Sequence, residues 1–105
     1  MRFAFVFGVV AAMAAASAGH ADELADGKAV FLTKAAPSCA ICHTLSDAGA
    51  NGMIGPVLDD LKPDEARVKK AVTQGVGVMP AYGESLSAAD IDAVAAYVAT
   101  AVGTK

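Results

Sequence analysis

The chain has 105 residues and a formal net charge of −3, which limits it to one small domain. Its eight basic residues form no run or stripe, so the composition argues against a nucleic-acid-binding protein. Apolar residues make up 55% of the sequence and are concentrated near the N-terminus, in residues 3–18. This distribution points to a targeting segment in front of an ordinary domain.

The N-terminal residues have the organisation of a secretory signal peptide. One positive charge follows the first methionine, residues 3–18 are almost wholly apolar, and small residues then occupy the positions that a signal peptidase reads. We predict cleavage after Ala21, with Ala18 as the competing site, so that residues 1–21 are removed and residues 22–105 form the mature domain. An uncleaved anchor is the alternative, but a membrane-spanning helix needs about 20 apolar residues and this run is shorter. The predicted location is the periplasm, without stable membrane insertion.

The mature domain is poor in large side chains. It has seven basic residues against eleven acidic ones, a formal charge of −4, and its aromatic residues are Phe31, Tyr82 and Tyr97. So short a domain with so few large side chains buries little surface on folding. We therefore expect a cofactor to fill part of the core.

Three helical stretches separated by loops rich in Gly and Pro predict an all-α fold. The first covers about residues 23–34, where apolar residues recur at helical spacing. The second is predicted to begin at Pro63, which suits a first helical position, and to end at Gly75. The third has Ser87 as its N-cap, and its apolar residues repeat along one face up to a stop at Gly103.

A long loop, about residues 45–62, connects the first and second helices. It contains three glycines and Pro56, and a loop of this length is usually functional. No segment predicts a convincing strand, because the alternating residues 75–78 include two glycines.

The residues Cys39, Cys42 and His43 form a C-x-x-C-H motif. Thiols one helical turn apart can bind covalently to the two vinyl groups of one haem, and the adjacent His is then placed beneath the iron. A thioredoxin-like pair would require a βαβ pattern, and a zinc site would require ligands that the mature chain lacks. A structural disulfide is the third alternative for an exported protein. We predict one covalent haem c attached through the two cysteines, with His43 as an iron ligand.

The iron needs a sixth ligand or an open site. Ligation by two histidines is excluded because His43 is the only histidine after Ala21, and two methionines, Met53 and Met79, are available. Met53 lies ten residues after His43, which is a short tether for reaching the other haem face. Met79 lies 36 residues after His43 and precedes Pro80, which restricts the local backbone. We predict Met79 as the ligand and Met53 as a packing residue. A His/Met pair raises the haem potential, as in electron-carrying cytochromes.

The dipeptide Gly55-Pro56 has two interpretations. It can be a simple turn, or the Pro56 carbonyl can accept a hydrogen bond from Nδ1–H of His43, since axial histidines generally have such a partner. The residues by themselves leave the two interpretations equal.

The order of these motifs resembles that of small class I cytochromes c with one haem. The resemblance covers nearly all of the mature chain and is carried by C-A-I-C-H (39–43), G-P-V-L (55–58), M-P-A-Y (79–82) and the helical segment 86–98. It implies three main helices and long loops around one haem, and it favours the carbonyl role for Pro56. It also implies that the first and last helices cross at Gly27, with Phe31 and Tyr97 packed at the crossing.

We expect an apolar haem pocket drawn from all three helices and from the loops between them. The predicted lining residues are Phe31, Leu45, Ile54, Leu58, Leu61, Val68, Val72, Val78, Tyr82, Leu86, Ile91 and Val94.

The resemblance implies an electron-transfer protein and not an enzyme. More loosely, the chain is similar to periplasmic cytochromes that accept electrons from sulfite dehydrogenases, so the expected partners are a dehydrogenase donor and an oxidase or cytochrome acceptor. The alternatives are a haem-based gas or redox sensor in which Met79 leaves the iron, and a cytochrome subunit of a larger oxidoreductase. A peroxidase-like enzyme would want a distal His or Arg, and Arg67 is the one arginine of the mature domain.

Overall fold

The computed structural model describes residues 12–103, and side chains from Gly19 onward. Its elements are α1 (Ala12–Ala29), a π-helical turn (Val30–Lys34), α2 (Cys39–Cys42), β1 (Thr44–Leu45), a 3-10 turn (Ser46–Ala48), β2 (Ala50–Asn51), α3 (Leu58–Leu61), α4 (Glu65–Gln74) and α5 (Ala88–Ala101). The three long helices correspond to the three predicted ones, which confirms the mainly α fold. Within the described range, none of the helices has the length and apolar character needed to cross a bilayer.

Helices α1 and α5 cross at Gly27. A Cβ atom on Gly27 would clash with the carbonyl oxygen of Ala93 and would lie 2.5 Å from the Cβ atom of Tyr97. Beside the crossing, the rings of Phe31 and Tyr97 meet edge to face with centroids 6.2 Å apart. Both rings are buried. The crossing that the family resemblance implied is therefore confirmed, and glycine is required there because no side chain fits.

The first helix is longer than predicted at its N-terminal end. It begins before residue 23 and crosses the predicted cleavage site, so cleavage after Ala21 would leave only its C-terminal part in the mature domain. Its last turn is π-helical, and the N–H of Ala35 donates to the carbonyl of Val30 at 3.0 Å. Residues 1–11, which hold most of the predicted signal peptide, lie outside the described part of the chain.

The second long helix starts two residues later than predicted. Asp64 is the N-cap, and its Oδ1 accepts a hydrogen bond from the N–H of Arg67 at 2.8 Å. Pro63 precedes the cap and is not the first helical residue. The Asp64 carboxylate can accept a hydrogen bond from a free N–H of the first turn, whereas the side chain of proline cannot. The helix ends at Gly75, which has φ 76°, as predicted.

The third long helix has the predicted ends. The hydroxyl of Ser87 accepts a hydrogen bond from the N–H of Asp90 at 3.0 Å. The helix closes with Val102 as its C-cap, followed by Gly103 at φ 78°. Its apolar face contributes Ile91 and Val94 to the core that it shares with α4.

The prediction that the chain contains no strand was wrong. A short antiparallel hairpin pairs Thr44 with Asn51 and Leu45 with Ala50. Each strand has two residues, which is too short to produce a visible alternation in the sequence. The hairpin forms because Leu45 is fully buried and Gly49, at φ 65°, closes the turn.

Two carboxylates attach this part of the chain to α5. Asp47 Oδ2 accepts a hydrogen bond from the Tyr97 hydroxyl at 2.6 Å. Asp59 accepts from the N–H of Ser46 at 2.8 Å and from the N–H of Gly103 at 2.9 Å. The loop that follows the cysteine motif is therefore fastened to the C-terminal helix at two points.

Candidate haem-binding site

The two cysteines lie at the ends of α2, one helical turn apart, and they do not form a disulfide. Ser38 caps this helix, because its Oγ accepts a hydrogen bond from the N–H of Ala40 at 3.2 Å. The same hydroxyl lies 3.1 Å and 3.0 Å from the carbonyl oxygens of Phe31 and Leu32, to which it donates. Ser38 thus connects the motif to the end of the first helix. Ser38 was not predicted as a site residue, although a serine directly before a helical motif is an N-cap signal.

His43 leaves α2 in an extended conformation and its imidazole turns back to the loop. Nδ1 lies 2.8 Å from the carbonyl oxygen of Pro56. Gly55 packs against the ring so closely that a Cβ atom there would lie 2.7 Å from Cε1. The loop is held in this position because the N–H of Gly55 donates to the carbonyl of Cys42 at 2.6 Å. A proton on Nδ1 is fixed by the carbonyl, which leaves the lone pair on Nε2.

Met79 lies at the end of a tight turn. Its N–H donates to the carbonyl of Val76 at 2.9 Å, and the N–H of Val76 donates back at 3.2 Å. Gly75 and Gly77 have φ values of 76° and 57°, which the turn requires. The Met79 side chain is partly buried against the core, whereas Met53 is 87% exposed.

Tyr82 follows this turn and is buried. Its N–H donates to the carbonyl of Val72 in α4 at 2.8 Å, and its hydroxyl donates to the carbonyl of Pro37 at 2.8 Å. Burial raises the pKa of the Tyr82 phenol above its ordinary value. Tyr82 belongs to the predicted pocket, but its bond to Pro37 was not predicted from the sequence.

The environment of Cys39 disfavours the charged form of its thiol. Burial raises the pKa of the Cys39 thiol to about 11, an effect that its backbone hydrogen bond opposes and the charge of Cys42 reinforces. Cys39 is therefore a neutral thiol at pH 7. Between residues 12 and 103 no three His, Cys, Asp or Glu side chains are grouped so that they could hold one metal ion.

Most of the predicted pocket residues form the core, and the others lie at its surface. Eight are buried: Phe31, Leu45, Leu58, Val68, Val72, Tyr82, Ile91 and Val94. Leu86 is partly buried, and three are exposed: Ile54, Leu61 and Val78. The other large apolar side chains exposed in the described part are Ile41, Met53, Val57 and Val76.

These residues fit a haem. Two thiols on one helical turn, an imidazole with a free Nε2 and a partly buried thioether are the donor groups that a c-type haem uses. Exposed apolar side chains are grouped along the sequence beside each of these donors. Exposed apolar side chains in these positions are compatible with a large apolar group bound beside them.

The mainly helical fold and this set of donors define a c-type cytochrome. Residues 22–98 match the family model described as cytochrome c oxidase, cbb3-type, subunit III, and the chain belongs to this family of cytochromes c.

Solved and curated relatives agree with this class. The crystal structure of the c-type cytochrome SorU from Sinorhizobium meliloti is similar with a TM-score of 0.77 and 54% identity, covering 79% of this chain and 94% of that one. Cytochrome c6 of Microcystis aeruginosa is 38% identical over 70% of this chain and 90% of its own length. Cytochrome c6 of Picosynechococcus sp. is also 38% identical, over 75% of this chain and 74% of its own. The chain is therefore a small cytochrome with one covalent haem c and its iron, and it carries electrons.

Proposed function

We propose that this protein is a periplasmic one-electron carrier whose haem would be attached to Cys39 and Cys42, with His43 and Met79 as the residues that would ligate the iron. The observation that carries the proposal is the imidazole of His43, which is held by the Pro56 carbonyl at 2.8 Å directly after the cysteine helix.

Each site residue has a separate task in this proposal. The cysteines hold the haem covalently, and the Pro56 carbonyl fixes the tautomer of His43 and makes its Nε2 a better donor. The bound haem supplies a one-electron couple at its iron. With His43 and Met79 both ligating, no coordination position is open to a substrate, which favours a carrier over an enzyme.

Met79 is the better of the two candidate methionines. It is partly buried and its backbone is held by reciprocal hydrogen bonds, whereas Met53 extends into solvent. Met79→Ala should abolish the weak near-infrared band of thioether-bound ferric haem and lower the reduction potential. Met53→Ala is the matched control and should change neither. The reverse pattern would identify Met53 as the ligand and refute this part of the proposal.

The proposed location depends on cleavage after Ala21. The intact mass of the protein from a periplasmic fraction should correspond to a chain that begins at Asp22 and carries one haem that organic solvent does not extract. A haem that is extracted would exclude the thioether bonds at Cys39 and Cys42. A retained N-terminal segment would indicate an anchored protein.

The proposed donor is a periplasmic dehydrogenase, and a sulfite dehydrogenase is the first to test because the chain resembles cytochromes that accept electrons from such enzymes. The proposed acceptor is a terminal oxidase or another cytochrome. Stopped-flow mixing of the ferric protein with a substrate-reduced sulfite dehydrogenase should show rapid reduction. Reduction no faster than that of an unrelated cytochrome would exclude this donor.

A second candidate function is a cytochrome subunit of a larger oxidoreductase. The observation that favours it is the family model, whose description names an oxidase subunit. Size-exclusion chromatography of a native extract separates the two candidates, because a free carrier elutes at the size of the mature domain and a subunit elutes with its enzyme.

A further inference from the structure

We infer that Tyr82 is a positioning residue that fastens the Met79 turn to the cysteine-bearing part of the chain through its hydroxyl group. The hydroxyl donates to the carbonyl of Pro37 at 2.8 Å, across a separation of 45 residues. The inference rests on the proposed ligation by Met79 and adds the device that keeps this ligand in place.

The hydrogen bond from Tyr82 to Pro37 joins the segment that holds Met79 to the segment that holds the cysteines. Among the described residues, it is the only hydrogen bond that joins residues 75–86 to residues 36–57. The other anchors of the Met79 segment go to α4: the N–H of Tyr82 bonds to Val72 and the N–H of Gly83 bonds to Thr73. Without the hydroxyl, the turn would be fixed to its own helix but not to the side that holds the cysteines.

The position of Tyr82 in the chain makes the bond effective. Only two residues separate Met79 from Tyr82, so a displacement of the phenol is passed directly to the ligand. Tyr82 is 5% exposed, whereas Val78 on the other side of Met79 is 90% exposed. Met79 therefore lies between a buried residue, Tyr82, and an exposed residue, Val78.

The test is the displacement of Met79 by imidazole in the ferric, haem-loaded protein, followed in the near-infrared band. Tyr82→Phe keeps the ring and removes the hydroxyl. We expect imidazole to bind roughly fivefold more tightly to the variant, the factor that corresponds to one neutral hydrogen bond of about 1 kcal/mol.

Tyr97→Phe is the matched control. It removes the hydroxyl of the other buried tyrosine, which bonds to Asp47 and not to the segment of Met79. A role limited to general stability predicts that both variants lower the midpoint of urea unfolding and leave imidazole binding unchanged. The positioning role predicts tighter imidazole binding in Tyr82→Phe alone.

The outcomes separate this inference from the proposed function. If the wild-type band persists in Met79→Ala, the proposed ligation itself fails. If the band depends on Met79 but Tyr82→Phe binds imidazole like the wild type, the ligation stands and the positioning role is overturned. An equal gain in Tyr97→Phe would also overturn it, because the effect would then be a general loosening of the fold.

Discussion

The crossing of α1 and α5 leads to a quantitative prediction for Gly27→Ala. A methyl group at this position would lie 2.5 Å from the Cβ atom of Tyr97 and 2.7 Å from the carbonyl carbon of Ala93. Carbon atoms in contact are normally about 3.5–4.0 Å apart, so the two helices would have to separate by roughly 1 Å. Neither contacted atom can rotate away, because one is backbone and the other is the first atom of a side chain.

Two opposing contributions decide the net effect. Overpacking a core costs about 1–3 kcal/mol of folding free energy. Because the neighbours of Gly27 cannot move aside, we expect Gly27→Ala to cost about 3 kcal/mol by overpacking. Replacing glycine by alanine inside a helix stabilises the helix by about 1 kcal/mol. We expect a net loss of about 2 kcal/mol in the free energy of unfolding, which lowers the melting temperature of a domain of this size by about 8–16 °C.

The measurement is thermal unfolding of the haem-loaded protein by circular dichroism. Ala25→Gly is the control, because Ala25 is exposed on the same helix and the change reports the helix-propensity term alone, about 1 kcal/mol. Gly27→Ala should melt well below the wild type and Ala25→Gly only moderately below it. If Gly27→Ala melted at or above the wild-type temperature, the close approach at the crossing would not be required.

Three further predictions concern the cofactor, the partner and the response to pH. Replacing Cys39 and Cys42 by Ala should give a largely disordered chain by circular dichroism, because the haem completes the core; a cooperative melt would contradict this. Ile41→Asp and Val78→Asp should strongly slow electron transfer to the true partner, because both side chains are exposed apolar groups (59% and 90%) next in sequence to the proposed haem donors. The stopped-flow rate of electron transfer should change only modestly with salt concentration, since the predicted mature charge of −4 is spread along the chain. A steep salt dependence, together with an unchanged rate in Ile41→Asp, would place the docking site elsewhere. Burial raises the pKa of Tyr97 above its ordinary value, and the hydrogen bond to the Asp47 carboxylate and the charge of that carboxylate raise it further. The contribution of Tyr97 to stability is therefore complete below about pH 10 and is lost as the pH rises further. The free energy of unfolding in urea should fall between about pH 9 and about pH 12 in the wild type, and should fall less in Tyr97→Phe. An equal fall in both proteins would exclude Tyr97 as the cause.

The features that the sequence predicted by itself depend on short separations along the chain. The C-x-x-C-H motif predicted the cofactor because two thiols on one helical turn already have the spacing that haem attachment requires. The N-cap at Ser87 and the end of α4 at Gly75 were predicted for the same reason, since each depends on a few neighbouring residues. Pro63 was misplaced because Asp64, its neighbour, competes for the same helix end.

Only the tertiary structure decided the contacts between residues far apart in sequence. The Pro56 carbonyl lies 13 residues from His43, and whether it reaches the imidazole depends on the path of the loop, which follows from the bond between Gly55 and Cys42. The bond from Tyr82 to Pro37 spans 45 residues, and no local pattern predicts it. A helix cap is decided by backbone geometry within one turn, whereas these bonds exist only after the helices have packed and brought two loops together. The sequence alone therefore predicted the donor groups of the haem, and the packed structure decided how the His43 ring and the Met79 turn are held.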